Sequence, residues 1–118
     1  MEYWLSRDSR INPDVLDWIR KHHNPENHFH IASNQPNVRV NYIWEHRPEL
    51  HEFFENIFIS DNIGTSKPDP VFFIKIQQKL KVPFSEICLI DDDPKNIQSA
   101  KTLGMQTVLF NSTNDLPE

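Results

Sequence analysis

The chain has 118 residues and a formal net charge of −5, so one domain is expected, burying roughly two-thirds of the surface the unfolded chain exposes. With 37% hydrophobic and 25% charged residues it reads as globular, with no run near the roughly 20 apolar residues of a membrane helix and no signal-peptide core in Met1-Glu2-Tyr3-Trp4-Leu5-Ser6-Arg7. Twelve Lys plus Arg against seventeen Asp plus Glu argue against nucleic acid as a partner, because phosphate neutralisation needs clustered cations.

Residues 1–10 show no clear period and read as an N-terminal arm or the tail of an absent element. A helix follows, with Asn12 as N-cap, Pro13 at its first position and Val15, Leu16, Trp18 and Ile19 on one face. Phe29-His30-Ile31-Ala32 is a short strand ending in the polar turn Ser33-Asn34-Gln35. Pro36 opens a helical stretch carrying Val38, Val40, Tyr42, Ile43 and Trp44, and Pro48 restarts a helix for Leu50, Phe53 and Phe54. Ile57-Phe58-Ile59 predicts a second strand, and residues 61–67 a loop. Asp69-Pro70 caps and launches a helix bearing Val71, Phe72, Ile74, Ile76 and Leu80. Ile87-Cys88-Leu89-Ile90 is an apolar run bounded by charge, as in a strand buried on both faces. Cys88, the single cysteine, reads as a core thiol and excludes a disulfide within the chain. A helix over residues 94–103 closes at Gly104, and residues 106–110 form the last strand before a polar tail.

Alternating strands and helices of this length predict an α/β fold: a Rossmann-like, mostly parallel sheet in three layers. Such sheets bind ligands beyond the carboxyl ends of their strands. Ser33 and Asn34, Asp61 with Lys67, and Asp91-Asp92-Asp93 all fall at those ends. A hydroxyl, an ammonium and a carboxylate cluster on one rim suit a phosphate together with a divalent cation. Three adjacent carboxylates repel unless something positive compensates. Mg2+ held through one or two carboxylates and waters would do so, and so would Lys67 reaching across. The alternative is a solvated acidic turn that caps the next helix. For Ser33 the alternative is an ordinary helix cap.

None of the six histidines makes an i, i+4 metal pair, so solvated or capping roles are expected for them.

Three stretches resemble successive motifs of the haloacid dehalogenase-like (HAD) hydrolases. They are Ser33-Asn34 after an apolar strand, Gly64-Thr65-Ser66-Lys67-Pro68-Asp69-Pro70 before a helix, and Ile90-Asp91-Asp92-Asp93-Pro94-Lys95-Asn96 after a strand. Their order and spacing match, as does Ala100-Lys101-Thr102-Leu103-Gly104-Met105 leading into a final strand. The resemblance implies a Mg2+-dependent phosphatase acting through an aspartyl-phosphate. By it, Ser33 corresponds to the hydroxyl that bonds the transferring phosphoryl group, with Asn34 beside it. Lys67 corresponds to the lysine that neutralises the phosphoryl oxygens and nucleophile. Asp92 corresponds to the principal metal ligand, with Asp91 next to it and Asn96 as the outer partner. Phosphoryl transfer is largely positioning and charge stabilisation, which suits these roles.

The family's first motif, an apolar strand ending in Asp-x-Asp, has no counterpart in this reading. Asp8 follows Ser6-Arg7, and Asp14 and Asp17 lie on a helix. The acidic run itself has Asp-x-Asp form but lacks the later motifs. The expected fold is therefore truncated, with the central first-motif strand absent and no cap. Its sheet must close up, recruit the N-terminal arm, or pair with another chain. The expected division is an arm over 1–10, a partial core over 11–112 and a tail over 113–118. Such a chain would keep the phosphate and metal half-site of a phosphatase yet be inactive alone. The alternative is a non-catalytic binding or regulatory module derived from one. A phosphorylated small molecule is the expected ligand and the cytoplasm the expected location. Self-association through exposed strand edges, with Tyr3 and Trp4 as contacts, is also expected.

Overall fold

A computed structural model describes residues 1–6, 13–34, 42, 45–48, 50–112 and 115–116. Within it, Glu2–Ser6 form a strand, β1, built from the strand-favouring Tyr3 and Trp4. Helix α1 (Pro13–His22) follows, then β2 (His28–Ser33), a short helix α2 (Leu50–Phe53) and β3 (Asn56–Ile59). A turn-length helix α3 (Ser60–Ile63) precedes α4 (Pro70–Leu80). The chain continues through a 3-10 turn at Phe84–Glu86 into β4 (Ile87–Asp91), α5 (Pro94–Thr102) and β5 (Gln106–Leu109).

The strands make one parallel sheet in the order β3-β2-β1-β4-β5. The expected α/β fold is the one observed. The expected gap at its centre is not. β1 pairs with β2 through Trp4–His30 and Ser6–Ala32, and with β4 through Trp4–Leu89 and Leu5–Ile90. Recruitment of the N-terminal segment is thus the way the sheet is completed, and the edge strands are β3 and β5. Trp4 is fully buried and so is not available as a contact between chains, while Tyr3 is partly buried and stacks on Phe29. The missing central strand from which self-association was expected is present, and the edges left are those of β3 and β5.

Alternation along the strands explains why the sheet is buried on both sides. Tyr3, Leu5, Phe29, Ile31, Cys88 and Ile90 face a core closed by Leu16, Ile19, Leu50 and Phe54 of the α1–α2 side. Trp4, Ala32, Phe58, Ile87 and Leu89 face the opposite core, closed by Phe72, Phe73 and Ile76 of α4 and Ile97 and Ala100 of α5. Leu116, within the expected polar tail, packs into the first of these cores.

Local signals set the helix ends. Asp69 accepts from the Val71 N–H and Asp93 from the Lys95 N–H, each followed by a proline in the first turn. Gly104 closes the last helix with φ of +92°. Residues 61–63, expected in a loop, instead belong to α3, which Gly64 ends with φ of +93°. Asn12 and the helical stretch expected over residues 36–44, Tyr42 excepted, lie outside the described residues.

The amino end of β1 is anchored too. Glu2 Oε1 lies 3.0 Å from His30 Nε2, and both residues are buried. The histidines divide accordingly. His22 Nδ1 meets the Trp18 carbonyl at 2.8 Å in a capping position, whereas His30 is a core residue, contrary to expectation.

Candidate active site at the carboxyl rim of the sheet

The parallel register brings the carboxyl ends of β1, β2 and β4 level with one another. Ser6 ends β1, Ser33 ends β2 and Asp91 ends β4. Lys67 reaches this rim from the loop between α3 and α4. Its side chain is fully buried, and its three ammonium protons match three acceptors on three strands. Nζ donates to Ser6 Oγ at 2.5 Å, to the Ala32 carbonyl at 2.9 Å and to Asp91 Oδ2 at 3.0 Å.

Asn34 fixes the backbone of that lysine. Its Oδ1 accepts the Lys67 N–H at 3.0 Å, and its Nδ2 donates to the Lys67 carbonyl at 2.9 Å. The Lys67–Pro68 peptide is cis. A two-point clamp on the two peptide groups that flank the Lys67 Cα determines where the side chain enters the rim.

Asp91 is held as firmly. Its Oδ1 accepts the Asp93 N–H at 2.8 Å, and its Oδ2 also accepts Asn96 Nδ2 at 3.0 Å. Burial pushes its carboxyl up, but the Lys67 charge and the hydrogen bonds from Asp93, Lys67 and Asn96 outweigh that and hold it below the usual carboxylate range. Of the two compensations open to the acidic run, Lys67 reaching across is therefore present. Asp92 is exposed on the turn, and Asp93 caps α5.

The oxygen donors on this turn fit a weakly held hard cation. Three hydrogen bonds leave Asp91 one of roughly four lone-pair sites. Asn96 Oδ1 is buried without a hydrogen-bond partner. Exposed Asp92 completes the set, with water supplying the remaining positions in the usual manner of Mg2+. Among the described residues no three His, Cys, Asp or Glu side chains form a cage for a metal.

The rim thus brings together Ser33, Lys67, Asp91 and Asn96, all buried, with Asn34 clamping Lys67. Asp61 stands exposed on α3. Ser6 is not among the residues the sequence predicts for the site, because residues 1–10 read there as an arm. The available signal was the strand-forming Tyr3-Trp4-Leu5 together with a sheet that lacked its middle. A separate cleft of about 410 Å³, lined by His28, Phe29, His51, Phe53, Phe54 and Glu55 among others, opens at the amino ends of β2 and β3, away from this rim.

The family model for haloacid dehalogenase-like hydrolases matches residues 2–104, including the central strand. The chain belongs to this family. It is 40% identical over 70 residues to a glyceraldehyde 3-phosphate phosphatase of Pyrococcus furiosus, covering 57% of this chain and 29% of that protein. It is 35% identical over 63 residues to the drimenol cyclase drtB of Aspergillus calidoustus, covering 53% of this chain and 12% of that protein. The chain thus spans less than a third of the length of either relative. Among solved structures, a HAD family enzyme of Bacteroides thetaiotaomicron superposes with a TM-score of 0.72 at 22% identity, covering 82% of this chain and 52% of that one. That structure is an aspartate-to-alanine mutant in complex with magnesium and inorganic phosphate.

Proposed function

We propose that this HAD-like chain carries a phosphatase-type site that receives a phosphorylated small molecule and does not hydrolyse it alone by the aspartyl-phosphate route. The single observation that carries the reading is Lys67 Nζ, bonded at once to Ser6, Ala32 and Asp91 where three parallel strands end. Ser33 and Lys67 are the proposed phosphoryl-stabilising groups, with Asn34 setting the position of Lys67. Asp92, with Asp91 and Asn96, is the proposed Mg2+ site. When bound, Mg2+ supplies charge neutralisation for the phosphoryl oxygens.

Covalent phosphatase chemistry of the family's kind needs a carboxylate to form an acyl-phosphate and so divide one difficult displacement into two. The central strand ends instead in Ser6, with Asp8 two positions further along the sequence. This favours the binding-module alternative over a self-sufficient enzyme. The phosphatases among the relatives support a phosphate ester as the ligand class. The proposed location is the cytoplasm, where a free thiol such as Cys88 stays reduced.

An aryl phosphate with Mg2+ tests the reading, using wild type, Lys67→Ala, Asp92→Ala and Ser6→Asp. Wild type should give no turnover, and Ser6→Asp should gain a slow, Mg2+-dependent rate. Vigorous wild-type turnover that disappears in both alanine variants would overturn the reading.

A further inference from the structure

We infer that the Ser6 hydroxyl is itself a phosphate-binding group, donating its proton to a phosphoryl oxygen and making this rim a receptor that retains a phosphate rather than turning it over. The inference rests on the phosphate site proposed above and adds to it a residue and a mode of action.

The argument begins with hydrogen-bond inventory. Lys67 Nζ donates to Ser6 Oγ, so the hydroxyl must direct its own proton elsewhere. Among the described residues no acceptor takes that proton. Ser6 is partly exposed, whereas the Lys67 side chain is wholly buried. The hydroxyl is therefore the outward end of a short chain running from the ammonium towards the rim. A donor polarised by a neighbouring cation makes the stronger, charge-assisted kind of hydrogen bond to an anion.

Charge points the same way. The register that pairs Leu5 with Ile90 sets Ser6 beside Asp91, and Asp92 and Asp93 follow on the same turn. Lys67 offsets one of those carboxylates. Another carboxylate on β1 would raise the repulsion felt by a phosphate, whose charge at neutral pH is about −1.5 to −2. A serine contributes a hydrogen bond there and adds no charge. Lys67, with all three protons committed, has its effect on the ligand through this hydroxyl.

Calorimetric titration with inorganic phosphate, in buffer containing Mg2+, compares wild type with Ser6→Ala, Ser6→Thr and Ser6→Asp. Ser6→Ala should bind roughly ten-fold more weakly, the ordinary loss for one hydrogen bond to a charged group. Ser6→Thr, which keeps the hydroxyl, should bind as wild type does. Ser6→Asp should bind more weakly than Ser6→Ala. Wild-type binding that survives unchanged in Ser6→Ala overturns the role of Ser6 and leaves the phosphate site standing. Absence of binding by wild type overturns both.

Discussion

The Lys67 ammonium and the Asp91 carboxylate meet at 3.0 Å, 24 positions apart in sequence, with neither side chain reaching solvent. Removing two charges from water is expensive, and their attraction compensates only when the remaining protons and lone pairs are also satisfied. Here they are. Lys67 has two further acceptors, and Asp91 has two further donors. The pair joins β4 to the loop before α4, and through Ser6 and Ala32 it ties down the ends of β1 and β2.

Breaking that pair from one side should be severe. Lys67→Met leaves a buried carboxylate, and Asp91→Leu a buried ammonium, each expected to lower stability by about 3–5 kcal/mol. The double variant Lys67→Met/Asp91→Leu should lose less than either single variant, because no isolated charge remains. Urea denaturation monitored by fluorescence of the buried Trp4 and Trp18 measures all three. A double variant as unstable as the sum of the singles would show that the charges are not coupled.

The pH dependence has a definite sign. The folded Asp91 carboxyl titrates below its ordinary value, so it binds fewer protons folded than unfolded. Its stabilisation is present above the unfolded carboxyl value of about 3.9 and is lost as pH falls through the lower folded value. Wild type should therefore lose stability faster than Lys67→Met/Asp91→Leu on acidification below about pH 4. Parallel stability–pH curves for the two proteins would contradict this.

Mg2+ should bind weakly, centred on Asp92. Calorimetric titration of wild type should give a small saturable heat that Asp92→Ala lacks. Equal heats from the two proteins would remove Asp92 from the metal site.

Burial pushes the Cys88 thiol up to about 11. At about pH 8 little thiolate forms, so a thiol-specific reagent should label the folded protein at least about a hundredfold more slowly than the urea-unfolded chain. Similar rates would mean that the strand opens readily or that the thiol is accessible.

The element ends that carry the site are legible in short stretches of the sequence. An apolar run bounded by charge located β4 and put Asp91 just beyond it, and the Asp69-Pro70 pair located the start of α4. These signals span only a few residues, since capping and strand burial are satisfied by near neighbours in the chain. The same locality brought Ser33, Lys67 and Asp91 to the strand ends, and Asn96 joined them only through the resemblance to the HAD motifs. Ser6 needed the tertiary structure. Nothing within Glu2–Ser6 states that this segment lies between β2 and β4, because strand order is fixed by backbone pairing with residues far along the chain, at His28–Ala32 and Ile87–Ile90. Which cation compensates Asp91 was undecidable for the same reason. Lys67 and Asp91 are distant in sequence, and only the packed sheet, with Asn34 clamping the lysine backbone, brings ammonium and carboxylate into contact.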